Sequence, residues 1–259
     1  MIHDLLVVWE KYGLQILGGV GNTMLISIIG TLAGLLIGLF NGVIRTIPKP
    51  KNKIGAFLMK IVNFIITVYV EVFRGTPMMV QAMIIYWGYA YANGGNTLPL
   101  IPAGIVIVSI NTGAYITEIV RGGIISIDKG QFEGASSIGM SHFQTMFYVV
   151  IPQVIRNILP SVSNEFVVNI KDTSVLTVIG VTELYFYAAS AAKNSYKTFA
   201  SYLIACAIYF VLTFTVTRLL RLLEKVLAGK NSYTIFGSQS DSTAEIHIKE
   251  KTHGIRRSE

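Results

Sequence analysis

Charged residues are scarce in this chain. Asp, Glu, Lys and Arg make up 14% of its 259 residues, against about 25% in a typical soluble domain. Hydrophobic residues reach 52%, and the mean hydropathy is +0.57. This composition excludes a large soluble domain and is typical of an integral membrane protein.

Cysteine and histidine are also rare. The single cysteine, Cys206, lies in an apolar run, which excludes a disulfide framework and a thiolate metal site. His3 and His142 are far from the charged clusters described below, and no metal-binding His/Glu spacing or nucleophile elbow occurs. The sequence Gly229-Lys230-Asn231-Ser232 lacks the glycine loop that precedes the lysine of a nucleotide site. We therefore expect no catalytic residue, metal or cofactor in this chain.

Long apolar stretches recur along the sequence, each of roughly the 20 residues or more that cross the hydrocarbon core of a bilayer. They predict five membrane-spanning helices, at residues 14–44, 61–92, 101–119, 145–179 and 199–216. Charged and proline residues interrupt the second and the fourth, so these two are expected to be broken helices. The predicted fold is all-α and integral to the membrane.

Basic residues concentrate on one side of the predicted spans. They follow span one at residues 45–60, span three at Arg121 and span five at residues 218–230, whereas the loop Asn93–Asn96 is uncharged. The positive-inside rule then places the N-terminus outside and the C-terminus in the cytoplasm. The same distribution accounts for the net charge of +7 without a nucleic-acid partner.

Three regions follow from this layout. Residues 1–17 are expected to form an extracytoplasmic or interfacial segment, which is retained because it lacks the basic start of a signal peptide. Residues 18–224 form the transmembrane domain, in contact with membrane lipid. Residues 225–259 form a cytoplasmic tail with both signs of charge, a composition typical of a mobile extension.

Small residues in span one repeat at every fourth position. Gly30, Gly34 and Gly38 would line one face of a helix, and such a face suits close packing of another helix backbone. Glycine is also common in membrane helices generally, so the repeat alone leaves both interpretations open.

A charged stretch with a Gly-Thr-Pro sequence interrupts span two. Gly75 can end a helix, Thr76 is a good N-cap and Pro77 suits the first position of a new half-helix. The free N–H groups of that half-helix would attract an anion at membrane depth, and Arg74 can bind a carboxylate through two hydrogen bonds. Alternatively, Arg74 pairs with Glu71 and only holds two helices together.

A second polar cluster lies in span four. On a continuous helix Glu165, Asn169 and Asp172 share one face, which would attract a cation, and Lys171 points elsewhere. Alternatively, Asp172 or one of the two hydroxyl residues after it caps another half-helix. A ligand that carries both charges at neutral pH, such as an amino acid, would satisfy both clusters.

The stretch between spans three and four resembles the coupling signature of permease subunits of bacterial ABC importers. That signature has Glu-Ala-Ala, three residues, a glycine, nine residues, and then Ile, any residue, Leu and Pro. The matching positions here are Glu133, Ala135, Gly139 and Pro152, with Gly134, Val149 and Ile151 as conservative replacements. Ordinary N-terminal capping of a helix would also explain an acid followed by small residues.

A wider resemblance, to the polar amino-acid uptake permeases of the histidine, glutamine, glutamate, arginine and opine group, covers residues 18–224. The similar runs are 71–77, 114–124, 130–131, 164–166 and 171–174. This resemblance implies the type I importer fold with a cytoplasmic coupling helix, and a non-enzymatic transport subunit of the cell membrane. By position, the substrate-binding residues would be Arg74, Gly75, Thr76, Glu165, Lys171 and Asp172, and the ATPase-coupling residues would be Glu133, Gly134, Ala135 and Gly139.

The same resemblance implies partners. They are a cytoplasmic ABC ATPase dimer that binds ATP and Mg, a second permease subunit that is either the same chain or a relative, and an extracytoplasmic amino-acid-binding protein. The main alternative is a secondary transporter or channel subunit driven by an ion gradient, with Glu71, Glu165 and Asp172 as ion sites. That alternative leaves the coupling stretch unexplained.

Overall fold

The computed structural model describes residues 1–48, 50 and 52–228. Within these ranges the chain forms helices and no strand, as the sequence predicts. In chain order the helices are α1 (Ile2–Ile44), α2 (Lys53–Gly75), α3 (Met78–Ala92), α4 (Leu100–Ile125), α5 (Lys129–Ser137), α6 (His142–Gln144), α7 (Ile151–Asp172), α8 (Leu184–Ser195) and α9 (Thr198–Ala228). The expected polar tail lies outside the described residues from position 229 onward, and residues 225–228 belong to α9.

The helices agree with the expected membrane-spanning segments. Four of the described helices, α1, α2, α4 and α9, are long and apolar enough to cross a membrane. A further candidate is a bent pair, in which the segment His142–Ile179 meets α8 at an angle of 55°. That segment contains π-helical turns at Thr145–Val150 and a 3₁₀ helix at Thr173–Ile179 on either side of α7. The expected break in the second span is the junction between α2 and α3.

The glycine repeat of α1 packs against α4. A Cβ atom added to Gly38 would lie 2.5 Å from Cγ2 of Ile116 and 2.6 Å from its Cβ, so only glycine allows this approach. The equivalent pairs along the same two helices are Gly30 with Val108, Gly34 with Thr112 and Gly42 with Val120. Close helix packing, rather than the general abundance of glycine, therefore explains the repeat.

The N-terminal segment is part of the first helix. Residues 1–17, expected to form an extracytoplasmic or interfacial segment, continue into the first span without a break in α1. Val8 and Ile16 are fully buried in a cluster with Leu184 of α8, and Asp4 forms an ion pair with Lys197. The buried apolar residues of this segment and its ion pair thus hold α1 against the junction of α8 and α9, which we call the α8–α9 corner.

Candidate functional site

The α2–α3 junction forms a break in the helical backbone. Thr76 and Pro77 have extended backbone conformations, with ψ of 150° and 134°, between the two helices. Pro77 is the N-cap of α3 and its carbonyl accepts the first helical bonds, from Val80 and Gln81. The prediction that Thr76 is the N-cap is wrong by one residue, because its hydroxyl donates backwards to the Val72 carbonyl, at 2.7 Å.

Gln81, which the sequence analysis did not single out, bridges this break. Its amide nitrogen donates to the carbonyls of Phe73 and Thr76, each at 2.9 Å. Its carbonyl oxygen accepts from the side-chain amide of Asn111 in α4, at 2.8 Å. Both amide side chains are buried, so they satisfy backbone groups that the break leaves without helical partners. One sequence signal could have identified Gln81: it is a polar residue four positions after Pro77 on an otherwise apolar helix.

Arg74 opens into a pocket of about 480 Å³ between α1, α2 and α4. Its guanidinium lies 5.4 Å from the centroid of the Tyr115 ring. None of the ion pairs found in the described ranges joins Arg74 to Glu71, so the alternative in which these two residues pair is wrong for this structure. The other lining residues are Arg45, Thr67, Val70, Glu71, Gly75 and Glu118.

An ion cluster closes one side of the Arg74 pocket. Glu118 of α4 pairs with Arg45, just after the end of α1, through one carboxylate oxygen. Its other oxygen accepts from Nε of Arg121 at 2.9 Å. The Glu118 carboxylate is thereby neutralised by two arginines. Arg74 and Glu71 both line the pocket and are exposed, and neither takes part in the ion pairs found in the described residues.

The polar face of α7 is only partly as expected. Glu165 is 4% exposed and Asn169 is 3% exposed, whereas Asp172 is half-buried. Asn169 is fully used in packing, because it donates to Thr31 at 2.8 Å and exchanges hydrogen bonds with Thr112. Neither carboxylate lines the Arg74 pocket.

The half-helix expected after Asp172 begins later in the chain. The backbone continues from α7 into the 3₁₀ helix without a capping side chain, so capping by Asp172 or its neighbours is wrong. Glu183 caps α8 instead, accepting from the backbone N–H of Phe186 at 2.7 Å. This carboxylate is fully buried and also accepts from Tyr209 of α9, at 2.8 Å. Glu183 lies beyond the predicted fourth span, 145–179, and was therefore not among the predicted site residues.

Lys171 lies apart from the other predicted substrate residues. Its side chain is exposed and lines a second pocket of about 230 Å³, together with Arg218 and Arg221 of α9. Arg74 and Gly75 therefore line one pocket, and Lys171 lines a different one.

The coupling stretch forms a short exposed helix, α5, and specific hydrogen bonds define where it begins and where it ends. Asp128 caps α5 by accepting from the N–H of Gly130 at 2.7 Å, and Ala135 is buried while Glu133 and Gly134 are exposed. α5 begins at Lys129 and ends at Ser137, so Gly139, one of the predicted coupling residues, lies beyond the helix.

Gly139 forms the turn that ends α5. Its φ is +80°, its N–H bonds to the Ser136 carbonyl at 3.0 Å, and the N–H of Met140 bonds to the Ala135 carbonyl at 3.1 Å. This pair of bonds is a Schellman motif, which needs a left-handed residue at the position of the glycine. The glycine of the signature thus has a backbone role that its spacing alone does not reveal.

Comparison with known proteins finds similar proteins that are all parts of transport systems. The family described as "Binding-protein-dependent transport system inner membrane component" matches residues 54–228. The glutamine transport system permease protein GlnP of Escherichia coli is 35% identical over 225 residues, 87% of this chain and 98% of that protein. The L-cystine transport system permease protein TcyB of Bacillus subtilis is 33% identical over 211 residues, 81% and 85% of the two chains. A crystal structure of an amino acid ABC transporter with histidines matches with a TM-score of 0.71 and 37% identity, over 84% of this chain and 96% of that one.

Proposed function

Because this chain belongs to the inner membrane components of binding-protein-dependent transport systems, we propose that it moves a polar L-amino acid into the cell in an importer driven by a separate ATPase. The observation that carries this proposal is its similarity, over more than four fifths of its length, to permeases of glutamine and cystine. Membership of the family implies ATPase and binding-protein partners. A second permease subunit would complete the pathway.

The proposed amino-acid site combines the α2–α3 junction with the polar face of α7. Arg74 would bind the carboxylate through its planar guanidinium, next to the backbone at Gly75 and Thr76. Glu165 and Asp172 would attract the ammonium group. The Arg74 guanidinium supports the first part, because it lines an open pocket and takes part in none of the ion pairs found in the described residues. The second part rests on the helical spacing of the two carboxylates, since neither of them lines that pocket. Lys171 is assigned separately below, because it lines another pocket.

We place the contact with the ATPase on α5 and the turn after it, through Glu133, Gly134, Ala135 and Gly139. This short polar helix is exposed in a chain whose other helices are largely apolar, and Ile138 at its end is 77% exposed. ATP and Mg would bind to the partner, in keeping with the missing phosphate loop. An orientation with the N-terminus outside places α5 in the cytoplasm. Binding of the amino acid can then drive the cycle only through different affinities for the outward-open and inward-open states.

Uptake in proteoliposomes tests the proposal. With this chain, its ATPase and its binding protein, we expect accumulation of one labelled polar amino acid only when ATP is supplied. The same vesicles with a proton or sodium gradient and no ATP form the control. Uptake that follows the ion gradient and ignores ATP would favour the secondary transporter and contradict the proposal.

Replacing Gly139 with valine is expected to uncouple the ATPase from transport. A β-branched residue at φ +80° costs roughly 1–2 kcal/mol or more, so the turn after α5 would rearrange at the proposed contact. We expect loss of both uptake and the stimulation of ATP hydrolysis by loaded binding protein, with normal insertion of the chain.

Gly94→Val provides a control matched for backbone strain. Gly94 also has a positive φ, of 64°, with no atom near its added Cβ, but it lies in the α3–α4 loop away from α5. This variant should keep stimulated ATP hydrolysis. If loaded binding protein stimulated ATP hydrolysis normally in Gly139→Val, the turn after α5 would not be part of the coupling contact.

A further inference from the structure

The pocket between α7 and α9 is lined by three basic side chains. Lys171, Arg218 and Arg221 contribute three cations, and Phe210 and Phe214 form part of its apolar wall. No acidic side chain lines this pocket in the part of the chain that the structure describes. Both α9 and the segment containing α7 are candidate membrane spans, so the cations border the bilayer.

The three cations have no anionic partner among the described ion pairs. Arg218 lies 4.9 Å from the centroid of the Phe214 ring, a contact that orients its guanidinium without neutralising it. Two threonines of the pocket, Thr213 and Thr217, donate their hydroxyls to backbone carbonyls of α9, at 2.8 and 2.6 Å. Asp172 interacts electrostatically with Lys171 without forming an ion pair. The guanidinium groups of Arg218 and Arg221 are therefore the main donors that remain for a ligand at the edge of the bilayer.

We propose that this pocket binds the phosphodiester headgroup of an anionic membrane phospholipid. Basic pockets between membrane-spanning helices bind such headgroups. The apolar wall suits the start of the acyl chains, because Phe210 is 66% exposed and Phe214 is 50% exposed. A zwitterionic amino acid fits less well, since its ammonium group would find no carboxylate in the lining. This inference does not depend on which amino acid is transported.

Native mass spectrometry of the full chain, purified with its partners from nanodiscs, tests the site. The nanodiscs contain palmitoyl-oleoyl phosphatidylglycerol and phosphatidylcholine in equal amounts. We expect retained phosphatidylglycerol to exceed phosphatidylcholine in the wild type. In the double variant Arg218→Gln with Arg221→Gln, phosphatidylglycerol affinity should fall roughly fivefold for each removed cation.

Lys225→Gln is the matched control, because it removes one cation from α9 outside the pocket lining. It should leave phosphatidylglycerol retention unchanged. An equal loss per removed cation in the control and the double variant would reduce the effect to net charge and overturn the proposal. Glycerol phosphate that competes as well as the lipid would identify a soluble anion as the ligand. Phosphatidylglycerol retained by the chain alone but absent from the complex with the second permease subunit would identify a protein interface. Each result also overturns the proposal.

Discussion

Replacing Arg74 with alanine is expected to abolish amino-acid uptake without preventing assembly of the permease. The guanidinium lies over the Tyr115 ring and takes part in none of the ion pairs found in the described residues, so its removal breaks none of them. Loss of a charged partner for a desolvated carboxylate should lower uptake by about two orders of magnitude. Asp172→Asn, which removes the proposed partner of the ammonium group, should have a similar effect.

Three comparisons make this prediction specific. Arg74→Lys keeps the charge but loses the planar pair of donors, so it should retain more uptake than alanine. Arg156→Ala removes an exposed arginine of α7 that lines neither pocket, and it should transport normally. The amount of assembled complex and its basal ATP hydrolysis should match the wild type in all variants. Wild-type uptake in Arg74→Ala or Asp172→Asn would remove that residue from the substrate site.

Gly38→Leu is expected to prevent stable packing of α1 on α4. Even the Cβ of alanine would lie 2.5 Å from Cγ2 of Ile116 and 2.9 Å from its backbone carbon, and the backbone cannot rotate away. Overpacking typically costs about 1–3 kcal/mol, occasionally more, and we expect the upper part of that range because the contact involves two helix backbones. Alanine should be milder than leucine.

Thermal unfolding of the purified chain in detergent measures this effect. The control is Gly21→Leu, on the same helix, where no atom lies within 4 Å of the added Cβ. That variant should unfold close to the wild-type temperature. Equal unfolding temperatures for Gly38→Leu and Gly21→Leu would contradict the packing role of the glycine face.

Local patterns predicted the features that depend on residues near in sequence. The Gly30 to Gly38 spacing selected the face that meets α4, and Gly75 with Pro77 located the break between α2 and α3. Each of these follows from the helical period or from the backbone limits of glycine and proline. Their positions were correct to within a residue or two.

Contacts between distant residues were not predictable in this way. The bond from Asn111 to Gln81 joins residues 30 positions apart, and the buried Glu183 binds Tyr209, 26 positions later. Nothing in the sequence specifies which of several polar residues meet, because that depends on how the spans pack. The separation of Lys171 from Arg74 has the same origin.

The first helix, α1, is long enough to connect two distant ion pairs of the protein. Its 43 residues extend about 64 Å, roughly twice the thickness of the hydrocarbon core. Near one end Asp4 is tied to Lys197 at the α8–α9 corner, and just beyond the other Arg45 is tied to Glu118. A tilt of one degree about one tie moves the other by about 1 Å. A displacement of the α8–α9 corner that tilted α1 as one unit would therefore also move the edge of the Arg74 pocket.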